Sequence, residues 1–417
     1  MASPLKQIHK SSFIKYLFLA LSGALSVVAF SPFDIKVAIL LSLAILIYST
    51  ANSINYVEAF KRSLAWGLGY WIAGTGWLIV SIHFYGNTNL IISMLIILLM
   101  GIMLALVFIT PISLIKLLKP NKNIFILSLS FASFLTILEL SRFILLGGFP
   151  WLLPGLTFLD TFAQPLISII GVYGASFFIY FLSAFIALSC IFRNKVYFSL
   201  GILSVLIFFP QNNFHSEYYG KSIEIGIIQP ALDPFKKFQA GEATNIEETL
   251  LNLSEKHSKV DLIIWPESPF PYLNSSPQMK ALLSETDNLP IILSGTWEYN
   301  NNKLFNALTL LGANQSYYKR HLVPFGEYVP FERIIRGLIE FFDLPMSSIT
   351  QGRSKQELFN IKEFKVLGMI CFDVAFPLSF IEETKKADFI VNVSNDTWFG
   401  SSYGPYQHLQ IVRARAL

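Results

Sequence analysis

The chain has 417 residues, of which 53% are hydrophobic and 14% charged, and so apolar a composition excludes a single soluble domain. The formal net charge of +4 is small and no tract is rich in lysine and arginine, so we expect no nucleic-acid partner. Apolar residues concentrate in the first half of the chain. We therefore expect a membrane domain at residues 1–212 and a soluble domain at residues 220–417.

The chain has two cysteines, Cys190 at the end of an apolar segment and Cys371 in the soluble half. A disulfide between them is compatible with the sequence, but two free thiols are the preferred interpretation. Two cysteines without clustered histidines do not make a metal site, and we expect neither a metal nor a cofactor. The N-terminal apolar run is long and is followed by further apolar runs, which is not typical of a cleaved signal peptide.

Seven apolar segments in the first half are candidates for membrane-spanning helices, since a helix needs about 20 apolar residues to cross a bilayer. The second and the seventh segments are short, and the second is also consistent with a re-entrant or tilted element. We expect about seven helices, at residues 13–30, 35–50, 65–83, 89–115, 123–140, 161–190 and 195–210.

The distribution of lysine and arginine between the loops predicts the orientation, because cytoplasmic loops carry an excess of both. With a cytoplasmic N-terminus, ten of these residues fall in inner loops and two, Lys36 and Arg142, in outer loops. With seven spans the soluble half then lies outside, which in a Gram-negative bacterium is the periplasm. The inner-loop residues are Lys6, Lys10, Lys15, Lys61, Arg62, Lys116, Lys119, Lys122, Arg193 and Lys195.

The end of the fifth apolar segment carries two polar residues and a loop signal. Glu139 and Arg142 are three residues apart, and we expect an ion pair at the membrane interface, with a contact to a lipid headgroup as the alternative. The segment GGFPWLLPG contains glycines and prolines that end a helix, so we expect a loop at the outer surface. Trp151 in this loop is expected to be an anchor at headgroup depth.

From Lys221 onwards the pattern changes to short runs of Ile, Val and Leu that end in polar or helix-breaking residues, which indicates β-strands. Residues 244–258 and 276–286 have the pattern of amphipathic helices. Strands that alternate with helices predict a layered α/β domain. Functional side chains in such domains usually lie at strand ends.

Three reactive side chains each follow a strand-like run: the Glu267 carboxylate, the Lys319 amine and the Cys371 thiol. Considered alone, each residue has an ordinary explanation. Glu267 would be a turn residue, Lys319 a surface lysine and Cys371 a buried apolar thiol. Together they suit cysteine-based acyl transfer, because a carboxylate can take the thiol proton and an ammonium can stabilise the thiolate and the oxyanion. His321 is the alternative base, although no sequence feature pairs it with Cys371.

The segments around these residues resemble a known family. The order of glutamate, lysine and cysteine is similar to that of the carbon–nitrogen hydrolase (nitrilase) superfamily, with WPES around Glu267 and GMICFDVAFP around Cys371. YYKRHLVPFGEYVP around Lys319 and SNDTWFG, behind a multi-span half with GFPW, resemble the apolipoprotein N-acyltransferase family more specifically. The resemblance implies a multi-span α-helical membrane domain joined to a nitrilase-like α-β-β-α sandwich.

The resemblance also implies an activity, located at the inner membrane of a bacterium with the catalytic domain on the periplasmic side. A phospholipid, typically phosphatidylethanolamine, gives an acyl chain to Cys371 as a thioester. The chain then passes to the α-amino group of the diacylglyceryl-cysteine of an apolipoprotein. By the same resemblance Glu267 is the general base and Lys319 stabilises the oxyanion. Glu327 assists by positioning, and Phe238 lies where the family places an aromatic residue on a mobile lid.

The chain departs from the family pattern at two places. The family usually has a glutamate two residues after the cysteine, with an aromatic residue between them, whereas this chain has Phe372 and then Asp373. Aspartate is one methylene shorter, so we expect its carboxylate to fall about 1 Å short and Asp373→Glu to be neutral or favourable. The family continues past the position of Leu417 with further strands and a final span, so we expect a sandwich truncated at its C-terminus.

Three other functions are compatible with the sequence. The same three residues would serve a membrane-tethered nitrilase-like amidase that uses water instead of an amine. A truncated, inactive membrane protein of the same family is the non-enzymatic alternative. A transporter fits less well, because the expected spans contain few charged residues and transporters usually contain them.

Overall fold

The computed structural model describes residues 4–117, 123–211, 220–330 and 348–417, with the backbone alone for residues 4–11. The expected boundary between the two domains falls at residues 212–219, which lie outside the described residues. Lys119 and Lys122 of the topology argument lie outside them as well. The described N-terminal half is helical, and the C-terminal half contains two β-sheets.

Seven α-helices form the described N-terminal half, one for each expected span. They are α1 (Pro4–Leu25), α2 (Val37–Ala51), α3 (Tyr56–Thr75), α4 (Leu90–Phe108), α5 (Ile124–Ser141), α6 (Pro165–Ile191) and α7 (Lys195–Leu203). Four helical stretches are long and apolar enough to cross a membrane: Ser12–Ala29, Leu90–Leu117, Ile124–Ser141 and Gln164–Ile191. The helices α2 and α7 are apolar but shorter, and α3 has three charged residues in its first two turns.

Helices α1 and α3 pack with their backbones in close contact because glycines line the interface. A Cβ at Gly23 would lie 2.0 Å from the carbonyl oxygen of Trp66, and one at Gly69 would lie 1.8 Å from that of Ala20. Small residues permit this approach between membrane helices, and van der Waals contact then stabilises the pair. Trp66 also donates its indole N–H to Ser42 of α2 at 3.0 Å, so three helices are joined at this point.

The connections that the topology argument places outside all contact the C-terminal half. They are the first, third and fifth connections along the chain, between α1 and α2, α3 and α4, and α5 and α6. Their contacts include Ser31 with Gln410, Tyr85 with Trp398, and Trp151 with Gln407. These three connections therefore lie on the same side as the C-terminal half, as the prediction of seven crossings requires.

Glu139 and Arg142 do not form the exposed ion pair that we expected. The Glu139 side chain is 0% exposed and that of Arg142 is 2% exposed, and no direct ion pair joins these two described residues. Glu139 accepts the hydroxyl of Tyr180 of α6 at 2.6 Å. The Arg142 guanidinium donates to the carbonyl oxygen of Trp151 at 3.2 Å and lies 4.9 Å from the ring centroid of Trp71. The prediction was wrong because α6 and the loop between α5 and α6 cover the end of α5.

Trp151 is buried between the two halves and is not an anchor at the membrane surface. Its side chain is 3% exposed, and its indole N–H donates to Gln407 Oε1 at 2.7 Å. The loop itself forms as expected, with Gly148 at a φ of 89°. The expected headgroup contact was wrong because the C-terminal half covers this loop.

Two β-sheets form the centre of the C-terminal half. The five-stranded sheet has the order β1-β2-β3-β4-β5, parallel from β1 to β3 and antiparallel from β3 to β5, and the three-stranded sheet has the order β6-β7-β8. The strands are β1 (Ile225–Ile227), β2 (Leu262–Ile264), β3 (Ile291–Asn300), β4 (Lys303–Leu310), β5 (Gln315–Tyr318), β6 (Phe359–Ile361), β7 (Phe364–Ile370) and β8 (Phe389–Val393). The helices are α8 (Glu242–Glu255), α9 (Pro277–Glu285), α10 (Ile381–Thr384) and α11 (Gly404–Arg415).

The sheets face each other, and helices pack outside them. Leu262 and Ile264 of β2 share an apolar cluster with the second sheet, whereas Ile263 packs with α8 and α9. Gly368 of β7 permits the close approach of the sheets, since a Cβ there would lie 2.9 Å from Leu308 of β4. The helix α11 packs on the turn after β7 and on the membrane half. This arrangement confirms the α/β sandwich joined to a multi-span helical domain.

The contact between α1 and α3 provides a test of the helical packing. Gly69→Ala places a methyl group against the Ala20 carbonyl, so we expect a loss of about 1–3 kcal/mol and a fall of roughly 2–10 °C in the unfolding midpoint in detergent. Gly326→Ala is the matched control, because the nearest atom to its Cβ would lie at 3.6 Å. An unchanged midpoint for Gly69→Ala would contradict the close approach.

Candidate active site

The three reactive residues singled out from the sequence follow three strands of the facing sheets. Glu267 lies three residues after β2, Lys319 directly after β5, and Cys371 directly after β7. Since β7 belongs to the second sheet and the other two strands to the first, the two sheets together bring the residues to one place. The charges of Glu267 and Lys319 both act on the Cys371 thiol.

Lys319 is the centre of a buried charge cluster. Its side chain is 2% exposed, and its Nζ lies 2.8 Å from Glu327 Oε1 and 3.2 Å from Glu267 Oε1. Burial alone would lower the pKa of the amine, but the two carboxylates outweigh it and raise the pKa of Lys319 well above its usual value. The two carboxylates therefore favour the charged form of Lys319 beside the thiol.

Asn306, which the sequence analysis missed, links the two carboxylates. Its Nδ2 donates to Glu267 Oε1 at 2.8 Å and to Glu327 Oε1 at 3.1 Å. Its Oδ1 accepts the hydroxyl of Ser268 at 3.0 Å, which orients the amide. The available signal was an asparagine within the apolar strand β4, because a buried amide in a strand requires partners.

Backbone donors hold the second oxygen of each carboxylate. The N–H of Asn395 donates to Glu267 Oε2 at 3.0 Å, and the N–H of Val323 donates to Glu327 Oε2 at 2.8 Å. Gly295 of β3 makes room for this arrangement, since a Cβ there would lie 2.7 Å from the Cα of Glu267. Because a backbone N–H holds one oxygen of each carboxylate, the second oxygen of that carboxylate points at Lys319.

Cys371 begins a tight 3-10 turn, Cys371–Ala375, in which its own φ is 49°. A left-handed conformation is strained for a residue with a side chain, and such strain concentrates at functional sites. Asp373 stabilises the turn, because its Oδ2 accepts the N–H of Ile370 at 3.1 Å. The strand therefore ends abruptly at the thiol.

The surroundings of Cys371 favour the protonated form of its thiol. Burial raises the pKa of the thiol well above its usual value and the charge of Glu267 raises it further, whereas Lys319 and a hydrogen bond with Ser394 act in the opposite direction. A nucleophilic sulfur at this position requires an adjacent base, and Glu267 is the carboxylate that acts on it most strongly. Cys371 and Cys190 are both free thiols, as we expected.

Asp373 is fully buried and reaches all of its partners. Besides the Ile370 contact, its Oδ1 accepts the N–H of His321 at 2.8 Å and lies 3.1 Å from that ring's Nδ1, and its Oδ2 accepts the Tyr317 hydroxyl at 2.9 Å. The expected shortfall of aspartate does not occur at these contacts. The alternative base His321 is engaged with Asp373 and stacks on Phe376, with ring centroids 3.9 Å apart.

The two aromatic residues named from the sequence have different environments. Phe372 is buried and lies 6.4 Å from the rings of Phe149 and Trp151 in the membrane half. Phe238 is 46% exposed at the end of the short turn Lys236–Phe238. A position at the surface suits a lid residue, and the mobility of this segment stays a prediction.

A cavity of about 220 Å³ adjoins Glu267, and its lining does not include Lys319 or Cys371. Its lining includes Lys237, Ser268, Asn395 and Thr397. Lys237 is buried and donates to the carbonyl oxygen of Ser268, and its burial lowers the pKa of the amine to about 8. A larger cavity of about 690 Å³ lies along β4 and β5, and the three reactive residues do not line it.

Asp396 and His408 form a second ionisable group beside the thiol, which the sequence analysis also missed. His408 Nδ1 lies 2.8 Å from Asp396 Oδ2, and Nε2 lies 3.2 Å from the carbonyl oxygen of Cys371. Candidate metal-ligating atoms of these three residues lie within 4.8 Å of one another. Both nitrogens of His408 have protein partners, so hydrogen bonds account for the cluster, and the absence of a metal stays a prediction.

Comparisons with known proteins cover both halves of the chain. The family model described as apolipoprotein N-acyltransferase N-terminal domain matches residues 22–185, and that of the carbon-nitrogen hydrolases matches residues 225–417. The apolipoprotein N-acyltransferase of Pseudomonas syringae pv. tomato is 31% identical over an alignment of 415 positions, which covers 95% of this chain and 81% of the relative. That of Pasteurella multocida is 32% identical over an alignment of 441 positions including gaps, which covers 99% of this chain and 83% of the relative. These matches show that the chain belongs to the apolipoprotein N-acyltransferase family.

Proposed function

We propose that this protein transfers an acyl chain from a phospholipid to the N-terminal amine of a diacylglyceryl-cysteine in an apolipoprotein. The observation that carries the proposal is the cation of Lys319, held by Glu267 and Glu327 beside the thiol of Cys371. This set supplies a base, an oxyanion-stabilising cation and a nucleophile. The names of the relatives support the same reaction.

In the first half-reaction the base is Glu267 and the nucleophile is Cys371. The carboxylate takes the thiol proton, and the sulfur attacks the carbonyl carbon of a phospholipid ester while Lys319 stabilises the charge on the carbonyl oxygen. The ester C–O bond then breaks, and the leaving alkoxide takes the proton from Glu267. A lysophospholipid departs, and the acyl chain remains on the sulfur as a thioester.

In the second half-reaction the acceptor amine attacks the thioester. An α-amino group has a pKa near 8, so part of it is neutral at neutral pH. Glu267 takes the proton that the nitrogen loses, Lys319 again stabilises the oxyanion, and the C–S bond breaks. The proton passes from Glu267 to the sulfur of Cys371, and the products are an amide and the starting enzyme.

The protein is a multi-pass membrane protein, and we propose that its catalytic half faces the periplasm from the inner membrane. The support is the asymmetry of lysine and arginine together with the contact of the three outer connections with the C-terminal half. The two cations on the outer side have protein partners there. Lys36 Nζ lies 3.7 Å from Asp160 Oδ2, and Arg142 donates to the carbonyl oxygen of Trp151.

The thioester can be tested directly in the purified full chain. After incubation with phosphatidylethanolamine, we expect mass spectrometry to show a hydroxylamine-labile acyl adduct on the peptide that contains Cys371. Cys371→Ala removes the adduct, and Glu267→Gln lowers its rate at least about 100-fold because the base is lost. Cys190→Ser is the matched control and keeps the adduct, since its thiol lies at the end of α6.

The fate of the adduct separates the candidate reactions. On addition of a diacylglyceryl-cysteine peptide, we expect the acyl mass to appear on its N-terminal amine. Release of the chain as a free fatty acid would instead identify a hydrolase. An intact protein that forms no adduct under conditions in which the Pseudomonas syringae relative does would be the inactive family member.

The charges on the thiol predict opposite effects of two substitutions on the alkylation of Cys371 by iodoacetamide. Glu267 raises the pKa of the thiol and Lys319 lowers it. At a given pH, Glu267→Gln therefore increases the thiolate fraction and speeds alkylation, and Lys319→Met slows it. The rates are followed by mass spectrometry between about pH 6 and 10 in a Cys190→Ser background. Shifts in the same direction for both variants would be incompatible with this electrostatic arrangement.

The packing of Asp373 reverses the expectation that glutamate is tolerated there. The carboxylate is fully buried and already reaches its partners, so an added methylene must displace Tyr317 or His321. We expect Asp373→Glu to cost about 1–3 kcal/mol of stability and to slow adduct formation. The volume-matched control Asp373→Asn separates loss of charge from overpacking in the same thermal and adduct measurements. A faster rate for Asp373→Glu would restore the sequence-based expectation.

A further inference from the structure

His408 is a buried ionisable residue that the reaction above does not use. It lies on α11, is 2% exposed, and joins two groups through its ring. Nε2 is 3.2 Å from the carbonyl oxygen of Cys371, and Nδ1 is 2.9 and 2.8 Å from the two carboxylate oxygens of Asp396. A carbonyl and a carboxylate both accept, so both ring nitrogens of His408 carry protons in this arrangement.

The carboxylate accounts for the charge of the ring. Burial alone would lower the pKa of His408, but Asp396 and the carbonyl of Cys371 outweigh it and raise that pKa. The same interaction outweighs burial at Asp396 and lowers the pKa of its carboxyl. The buried His408 and the partly exposed Asp396 therefore form an ion pair whose remaining donor is directed at the backbone of Cys371.

The carbonyl that His408 contacts belongs to the strained residue of the site. Cys371 has a φ of 49°, a conformation that surrounding contacts must maintain. On the N-terminal side, Asp373 accepts the N–H of Ile370. On the C-terminal side, the carbonyl oxygen of Cys371 receives the charged donor of His408. Asp373 thus holds the peptide that precedes Ile370, and His408 holds the peptide that follows Cys371.

The neighbouring residue on α11 connects this arrangement to the membrane half. Gln407 Oε1 accepts the indole N–H of Trp77 at 3.1 Å and that of Trp151 at 2.7 Å. Trp151 also stacks on the ring of His408, with centroids 6.0 Å apart and planes at 29°. Two tryptophans of the membrane half therefore fix the turn of α11 that carries His408.

We propose that His408, paired with Asp396, is a positioning residue that holds Cys371 in its reactive conformation, and that Gln407 makes this positioning depend on the membrane half. The proposal rests on the proposed function of Cys371 as nucleophile. His408 acts on the backbone of Cys371 and does not touch the substrate. Without its donor the carbonyl is free to rotate, the left-handed turn relaxes, and the sulfur moves out of line with Glu267 and Lys319.

The test compares two variants of similar volume, His408→Gln and His408→Leu, in the full chain with phosphatidylethanolamine as donor. Misplacement of a reacting group by about 1 Å costs about 100-fold in rate, so we expect His408→Leu to form the Cys371 adduct about 100-fold more slowly. The amide of His408→Gln still offers a donor to the carbonyl oxygen of Cys371. We therefore expect His408→Gln to form the adduct at least about tenfold faster than His408→Leu. A role in packing alone would not distinguish glutamine from leucine in this way.

Gln410→Leu is the matched control for packing on the same helix. Gln410 is 2% exposed and contacts Ser31 and Leu156 of the membrane half. We expect its adduct rate to stay within about threefold of the unsubstituted protein. If His408→Leu does not fold, Asp396→Asn decides the question, because it keeps an acceptor of the same size without the charge. A rate equal to that of the unsubstituted protein would overturn the proposal, and a loss of about tenfold would support it.

The link to the membrane half has its own pair of variants. Gln407→Leu removes this acceptor from Trp151 and leaves the indole of Trp77 with the carbonyl oxygen of Gly74 alone, whereas Gln407→Glu keeps an acceptor for both. We therefore expect a loss of about tenfold with leucine and recovery with glutamate. Equal rates for the two would overturn the part of the proposal that concerns the membrane half. If the unsubstituted protein forms no adduct, the proposed function itself fails. If the unsubstituted protein forms the adduct and His408→Leu forms it equally fast, only the inference about His408 fails.

Discussion

The site depends on keeping one ammonium group buried between two carboxylates. An isolated buried cation is strongly unfavourable, so Lys319 requires both Glu267 and Glu327, and those carboxylates require Asn306 and backbone donors in turn. Lys319 lies closer to Glu327, at 2.8 Å, than to Glu267, at 3.2 Å. Glu327 is therefore the nearer partner of the ammonium, and burial raises the pKa of its carboxyl.

The membrane half is part of the architecture of the site as well as its attachment to the bilayer. Phe372, next to Cys371, packs on aromatic rings of the loop that contains Trp151. The helix α11 contacts that loop on one side and the turn of Cys371 on the other. In the proposed function, a lipid substrate thus meets a thiol whose surroundings are built by both halves. This is a physical reason for one chain to contain both.

The sequence predicted the elements that have strong local signals. Apolar length located the helices, and the strand-ending residues Glu267, Lys319 and Cys371 were identified by chemistry and by resemblance to a family. Predictions failed where distant segments meet. Trp151 and Arg142 look like interface residues when the chain is considered one helix at a time, but the C-terminal half and α6 bury them. Asn306 carried a usable signal as an amide in an apolar strand, whereas the pairing of Asp396 with His408 depends on how α11 packs.

The contacts of α11 join residues that are far apart in the chain. Ser31 and Gln410 are 379 positions apart, Trp77 and Gln407 are 330 apart, and Trp151 and Gln407 are 256 apart. The described helices α1–α7 are synthesised before α11, so the indole N–H of Trp151 has no Gln407 acceptor until α11 has been made. Contacts between such distant positions form late in folding, because the long loops between them must close first. The surface of the described helices that α11 covers must therefore stay uncovered until α11 has folded against it.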